Sequence, residues 1–529
     1  MPFERSSGLL LHVTSLPSVG GIGDLGPAAY AFANFLASAG QRIWQVLPLN
    51  PVGYGNSPYG ALSAFAGNPL LVSLEVLADW GWLSHDRLHE SLRELPGASG
   101  PVDYEAVTRI KQPLLEEAAL SFLQHRTEPR HAQQAARFEA YCARQQAWLD
   151  DYAAYTVLRR SHDYSVWTDW PAEYARRQPE AMRRLRAERA DELDVVKAIQ
   201  FAFDEQWTHL RTYCEARKIK LMGDIAIFVS YDSADVWTHP DIFELREDLT
   251  PIHVSGVPPD YFSATGQRWG NPLYRWDKLA ASGFDWWVAR VRRATEIYDM
   301  VRLDHFRGFE AFWSIPGEDE TAQHGHWVKA PGHELFRQME KELGTLPFVA
   351  EDLGVITQEV DALRRAFGLP GMRILQFGFG DRGAHTYLPH RYEANTVAYT
   401  GTHDNDTTLG WWHNGASEAE KEAVETYLKP GADGVVWAMI RAAATSVADI
   451  CLFPVQDVLE LGSEARMNVP SAAQGNWSWR CPSELLTLDV AEKLSALVTV
   501  TDRDGVPVDP MPTDAESEAE LTAQSATTK

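Results

Sequence analysis

The chain is poor in cysteine. Four stand among 529 residues (Cys142, Cys214, Cys451 and Cys481), far apart and without a CxxC pair. That spacing argues against a disulfide framework or a zinc cage; reduced cysteines in a cytosolic protein are expected. No run of ~18 apolar residues occurs, so nothing reads as a membrane-spanning helix. The N-terminal MPFERSSGLLLHVTSLP carries an early acid and an apolar stretch too short for a secretory core. It predicts no signal peptide and a cytoplasmic location. Positive charge is also scarce: 48 Lys and Arg face 73 Asp and Glu, a formal charge of −25. Such a balance argues against nucleic acid and anionic membranes as partners, and does not repel a neutral substrate. There is no Walker A pattern. Gly21-Ile-Gly23-Asp-Leu-Gly26 matches GxGxxG, but TSLPSV separates it from the preceding apolar run and no acid ends the next one, so it is not a dinucleotide fingerprint.

What the chain does have is aromatic surface and short apolar runs. Its 19 tryptophans supply core area, with a minority in loops suited to stacking on flat sugar or base faces. Eight runs end in polar or acidic residues: SGLLLHVTSLP (7–17), RIWQVLPLNP (42–51), KLMGDIAIFVSYD (220–232), IYDMVRLDHFRGF (297–309), LPFVAEDLG (346–354), MRILQFGFG (372–380), NTVAYTGTHDND (395–406) and SVADICLFPVQD (446–457). Each is apolar on both faces, as strands of a buried parallel sheet are. Helical patterns lie between them, such as AAYAFANFLASAG (28–40) and QEVDALRRAFGLPG (358–371). This alternation predicts an α/β fold, a (β/α)8 TIM-type barrel with large, mainly helical insertions. One catalytic domain is expected over 1–510, with a mostly helical insertion at about 60–219 and a substrate-covering loop region at about 231–290. The polar, acidic segment 511–529 reads as a disordered tail.

The polar strand ends carry the chemistry. Arg302 and Asp304 are two apart and share one strand face. If that face looks into the barrel mouth, a buried Arg302 would keep Asp304 as the carboxylate. The fifth run ends in Glu351-Asp352 and the seventh in His403-Asp404. Any one acid alone reads as the cap of the following helix. Three arriving at one rim point to acid/base work on a glycosidic bond, with a nucleophilic carboxylate and a proton donor about 5–5.5 Å apart if configuration is retained. HGH at 324–326 has too few companion histidines for a metal cage and reads as part of a mobile cover.

Eight ordered blocks then carry a family resemblance: SSGLLLHVTSLP, GNSPYGALSAFAGNP, GDIAIFVSYDSADVW, GVPPDYFSATGQRWGNPLY, VRLDHFRGFEAFW, VAEDLG, YTGTHDNDT and VQDVLELGSEARMN. Through them the chain, from about Ser6 to Arg480, resembles the 4-α-glucanotransferases (amylomaltases, disproportionating enzymes) of glycoside hydrolase family 77, in the α-amylase superfamily. By this resemblance Asp304 is the expected nucleophile, Glu351 the general acid/base and Asp404 the transition-state stabiliser. Arg302 resembles the arginine that fixes the nucleophile, and His403 the histidine that bonds the same sugar. Tyr59, Asp224, Tyr261, Phe262, Trp269 and Asn271 are further expected sugar contacts. Where the familiar block has Pro, this chain has Ala226, a change that touches no catalytic atom. The resemblance implies no metal and no cofactor, with maltooligosaccharides and α-1,4-glucans as partners. An α-glucan hydrolase on the same fold is the alternative, since water could replace the sugar acceptor. A non-catalytic glycan-binding barrel and a metal-dependent barrel hydrolase stand further off.

Overall fold

The computed structural model describes residues 3–505, apart from 96, 99, 260–262, 471 and 473. Two expected sugar contacts, Tyr261 and Phe262, and the expected tail 511–529 therefore lie outside the described residues.

Eight parallel strands close into a barrel: β1 (Ser6–Leu10), β2 (Ile43–Gln45), β3 (Lys220–Ala226), β4 (Met300–Asp304), β5 (Phe348–Ala350), β6 (Gly371–Ile374), β7 (Thr396–Tyr399) and β8 (Ile450–Pro454). Each pairs with its sequence neighbour, and Ser6 opposite Ile450 closes the ring. The eight apolar runs supply these eight strands. Every strand is shorter than its run, because the remaining apolar residues turn over the rim. Val13–Ser15, Phe306–Phe309 and Leu375–Phe379 are 3-10 turns, not strand.

Alternation explains why the runs are apolar on both faces. Ile43, Met222, Met300, Val349, Met372, Val397, Tyr399 and Leu452 form one buried cluster inside the barrel. Their neighbours Trp44, Leu221, Val301, Phe348, Ala398 and Cys451 face outward into the larger core shared with the helices. Helix Pro27–Ser38 follows the GxGxxG segment. Those glycines serve packing: a Cβ on Gly23 would sit 1.9 Å from the Val13 carbonyl oxygen, and Gly21 has φ 76°.

Between β2 and β3 lie the long helices Tyr104–His125, Ala132–Ser161 and Ala190–Glu215. Phe122 stacks on Trp82 at 4.1 Å, with Phe138 and Phe201 against them. Polar clasps tie these helices to the chain that follows β2 and to the loop after β1. The Gln200 amide exchanges two 2.8 Å bonds with the Gly67 backbone. Buried Lys111 donates to Leu70 O at 2.7 Å and Asp24 at 3.2 Å. Burying a polar group without such partners would cost ~1–3 kcal/mol each.

A second sheet stands over the rim. Its antiparallel strands run in the order Gln267–Pro272, His253–Val257, Ala311–Pro316 and His326–Lys329. His326 of the HGH triplet begins its edge strand, and exposed His324 pairs with Asp319 at 3.1 Å. One residue of that triplet is thus sheet, His326, paired with Ser314 across the ladder. Among the described residues no helix is long and apolar enough to cross a membrane.

Candidate active site

Strand register assembles the first part of the site. In the β3–β4 pair Asp224 lies opposite Arg302 and Ala226 opposite Asp304. Residues opposite one another share a face, and so do Arg302 and Asp304, two apart. Three side chains therefore project together at the C-terminal end of the barrel. The buried Arg302 guanidinium donates to Asp224 at 2.6 Å and pairs with Asp304 at 2.9 Å. Asp224 is fully buried, whereas the Asp304 side chain keeps 29% exposure and so remains reachable. Burial pushes the Asp224 carboxyl up to about 7, against the pull of Arg302.

Glu351 comes next. Leu303 lies opposite Ala350 in the β4–β5 pair, so Glu351 emerges beside Asp304. Both its carboxyl oxygens accept backbone amides, from His305 at 2.7 Å and Leu353 at 3.2 Å. Burial is the main cause that lifts Glu351 from 4.5 to about 8; the neighbouring Asp304 charge adds to it, while Arg302 and the His305 amide oppose it.

The third part crosses the barrel mouth. Tyr59, from the loop after β2, donates to Asp224 at 2.8 Å and lies 2.9 Å from Nε2 of His403, beyond β7. His403 is buried, which pushes its imidazole toward the neutral form. It stands 3.4 Å from Asp404, whose side chain is 46% exposed. One chain of contacts thus runs from Asp304 through Arg302, Asp224, Tyr59 and His403 to Asp404.

The remaining expected contacts lie on the second sheet. Trp269 and Asn271 stand two apart on the strand Gln267–Pro272. The half-exposed Trp269 ring meets His305 edge-on at 4.9 Å, which brings it to the Asp304 side of the mouth. Asn271 accepts from Ser255 at 3.4 Å within the sheet and, among the described residues, bonds none of the acids.

Four residues escaped the sequence reading. His305 has φ 50° and ψ 52°, a left-handed conformation that turns its amide onto Glu351. Asn468 donates to Asp404 at 2.6 Å, and Arg466 to the Asp404 carbonyl at 2.8 Å. The Trp477 ring lies 6.0 Å from both Tyr59 and His403. His305 and the ARMN segment fall inside quoted motif blocks; that presence was the only signal available. Among the described residues no group of three His, Cys, Asp or Glu is arranged to hold a metal ion.

A closed eight-stranded barrel whose polar side chains converge at the C-terminal strand ends is the architecture of a barrel enzyme. Comparison with known proteins gives the class. The family model described as 4-alpha-glucanotransferase matches residues 11–487. A 4-alpha-glucanotransferase of Thermus thermophilus is 46% identical over 512 residues, covering 95% of this chain and 100% of the relative. One from Synechocystis sp. is 45% identical over 482 residues, covering 90% and 94%. The amylomaltase from Streptococcus agalactiae, solved in complex with acarbose, superposes with a TM-score of 0.90 at 36% identity, covering 94% of this chain and 100% of that one. The chain belongs to the 4-alpha-glucanotransferase family of glycoside hydrolase family 77, and it is an enzyme of that transferase class.

Proposed function

We propose that the protein moves a segment of an α-1,4-glucan to the 4-hydroxyl of another glucan or of glucose, by a retaining double displacement. The observation that carries this reading is the contrast between two neighbouring carboxyls. Asp304 is ion-paired with Arg302 at 2.9 Å and partly open, whereas burial raises Glu351 to about 8. A buried carboxyl that keeps its proton, beside a reachable one paired with a guanidinium, assigns the first as acid and the second as nucleophile.

In the first step Glu351 gives its proton to the glycosidic oxygen while a carboxylate oxygen of Asp304 attacks C1. The C1–O4 bond breaks, a β-glucosyl ester forms on Asp304, and the reducing-end fragment leaves. In the second step the 4-hydroxyl of an acceptor attacks C1, Glu351 takes its proton, and the ester bond to Asp304 breaks with α configuration restored. Asp404, held by Asn468 and next to His403, is placed to bind hydroxyls of the distorted sugar. Tyr59, Asp224 and Arg302 hold the nucleophile side rigid. Trp269 and Asn271, with Tyr261 and Phe262 from the same segment, are proposed for the acceptor side. A cytoplasmic setting belongs to this reading, supported by four unpaired cysteines.

Transfer prevails over hydrolysis only if a bound sugar outcompetes ~55 M water, a matter of differential binding and positioning. Incubation with pure maltotriose tests it. A ladder of longer oligosaccharides together with glucose is expected. Glucose and maltose without a ladder would make water the acceptor and the protein a hydrolase.

A further inference from the structure

Glu351 is aimed by its own loop. The Leu353 amide that holds one of its oxygens belongs to the segment 353–356, which joins β5 to helix Gln358–Ala366. Among the described residues, 353–356 make no backbone–backbone hydrogen bond, and Val355 is 77% exposed. Leu353 packs against the cluster inside the barrel, Gly354 bonds Tyr387 through its backbone and Ile356 packs on the outer core, so Val355 is the point of the segment that still needs an outside anchor.

One cation supplies it. Arg307 lies three residues past Asp304, in the turn Phe306–Phe309. Its guanidinium donates from Nη1 to the Val355 carbonyl. The same guanidinium lies over the Trp327 ring, 3.9 Å from the centroid. Trp327 is itself set edge-on against Trp313 at 5.3 Å, and Trp313 is tied by Nε1 to Ala322 O at 2.8 Å. A planar cation stacked on an indole loses little freedom when it also donates a hydrogen bond, which suits arginine better than lysine. The turn that carries Arg307 also carries the His305 amide, the other donor to Glu351.

We propose that Arg307, braced on Trp327, is a positioning residue for the acid/base: it fixes the 353–356 segment and thereby the aim of the Glu351 carboxyl. It touches neither Glu351 nor any acid of the mouth, and it acts through Val355 and Leu353. The second sheet thus has a share in proton transfer, through its edge strand. This inference rests on the reading of Glu351 as acid/base.

The test compares two substrate pairs. Maltotriose needs a proton on its leaving oxygen and off its acceptor. Maltotriosyl fluoride with azide as acceptor needs neither, because fluoride leaves as the anion and azide attacks as one. Arg307→Ala should lower kcat on maltotriose by about 10- to 100-fold, as a misaimed acid does, with KM nearly unchanged. Fluoride release in azide should stay within about 2-fold of the parent enzyme, and Arg307→Lys should regain part of the maltotriose rate. Trp327→Leu, which keeps the arginine and removes its platform, should show the same split more weakly. Equal loss on both pairs, or loss on neither, in these variants would overturn the proposal. Glu351→Gln is run alongside. If it damages both pairs equally, the acid/base reading itself fails; if it spares the azide reaction while Arg307→Ala does not, only the brace fails.

Discussion

The hydroxyl of Tyr59 lies 2.9 Å from Nε2 of His403, and the two rings stack 15° from parallel with centroids 5.4 Å apart. One residue follows β2 and the other follows β7, so this contact spans the mouth of the barrel. The same hydroxyl donates to Asp224, whose other oxygen is buried without a partner. Tyr59→Phe would leave Asp224 to Arg302 alone. A loss of about 1–3 kcal/mol is expected for the unpaired buried groups, or about 5- to 150-fold if it falls on the transition state. Initial rates on maltotriose together with a thermal unfolding curve separate the two; a variant matching the parent in both would make the cross-mouth bond dispensable.

Ionised Glu351 is disfavoured in the folded protein, chiefly by burial, and its pKa is raised from 4.5 to about 8. Between these values the unfolded chain has released the proton and the folded one retains it. Stability should therefore fall as pH rises from about 4.5 to about 8, then level off. Glu351→Gln has no proton to lose and should drop this contribution, so its melting temperature should gain on the parent across that window. Asp224, raised to about 7, keeps its own share of the slope. Parallel melting curves for the two proteins from pH 5 to 9 check it, and a constant gap would contradict the raised acid. In activity, kcat/KM on maltotriose should fall as pH rises through about 8.

Asp304→Asn should abolish transfer and hydrolysis together, by about four orders of magnitude or more, because no ester can form at C1. The variant should still fold, since the amide oxygen can accept from Arg302. Product analysis after long incubation with maltotriose decides; turnover near the parent's would remove Asp304 from the nucleophile role.

Trp269→Ala removes a half-exposed indole set against His305. If that ring helps seat the acceptor sugar, truncation weakens acceptor binding and leaves the first chemical step intact. The share of hydrolysis should rise about 2- to 10-fold while total donor consumption changes less. Glucose and ladder products quantified from one digest give the ratio, and an unchanged ratio would take Trp269 off the acceptor side.

The sequence alone determined the barrel and the kinds of residue at its rim. Alternation is local, so runs apolar on both faces announce strands buried on both faces. Arg302 and Asp304 share a face because two residues of one strand must. Motif blocks such as VAEDLG and YTGTHDNDT placed Glu351 and Asp404 on the rim without any fold in hand. The tertiary structure alone decided which of these groups meet. Asp224 faces Arg302 because of the β3–β4 register, and register across a parallel crossover is set by packing many residues away. Tyr59 reaches His403 only once the ring closes at Ser6 and Ile450, which no local pattern encodes. The left-handed turn at His305 looks like ordinary strand continuation in the sequence. Its aim at Glu351, and the hold of Asn468 on Asp404, come from loops whose conformation depends on contacts with other strands' ends.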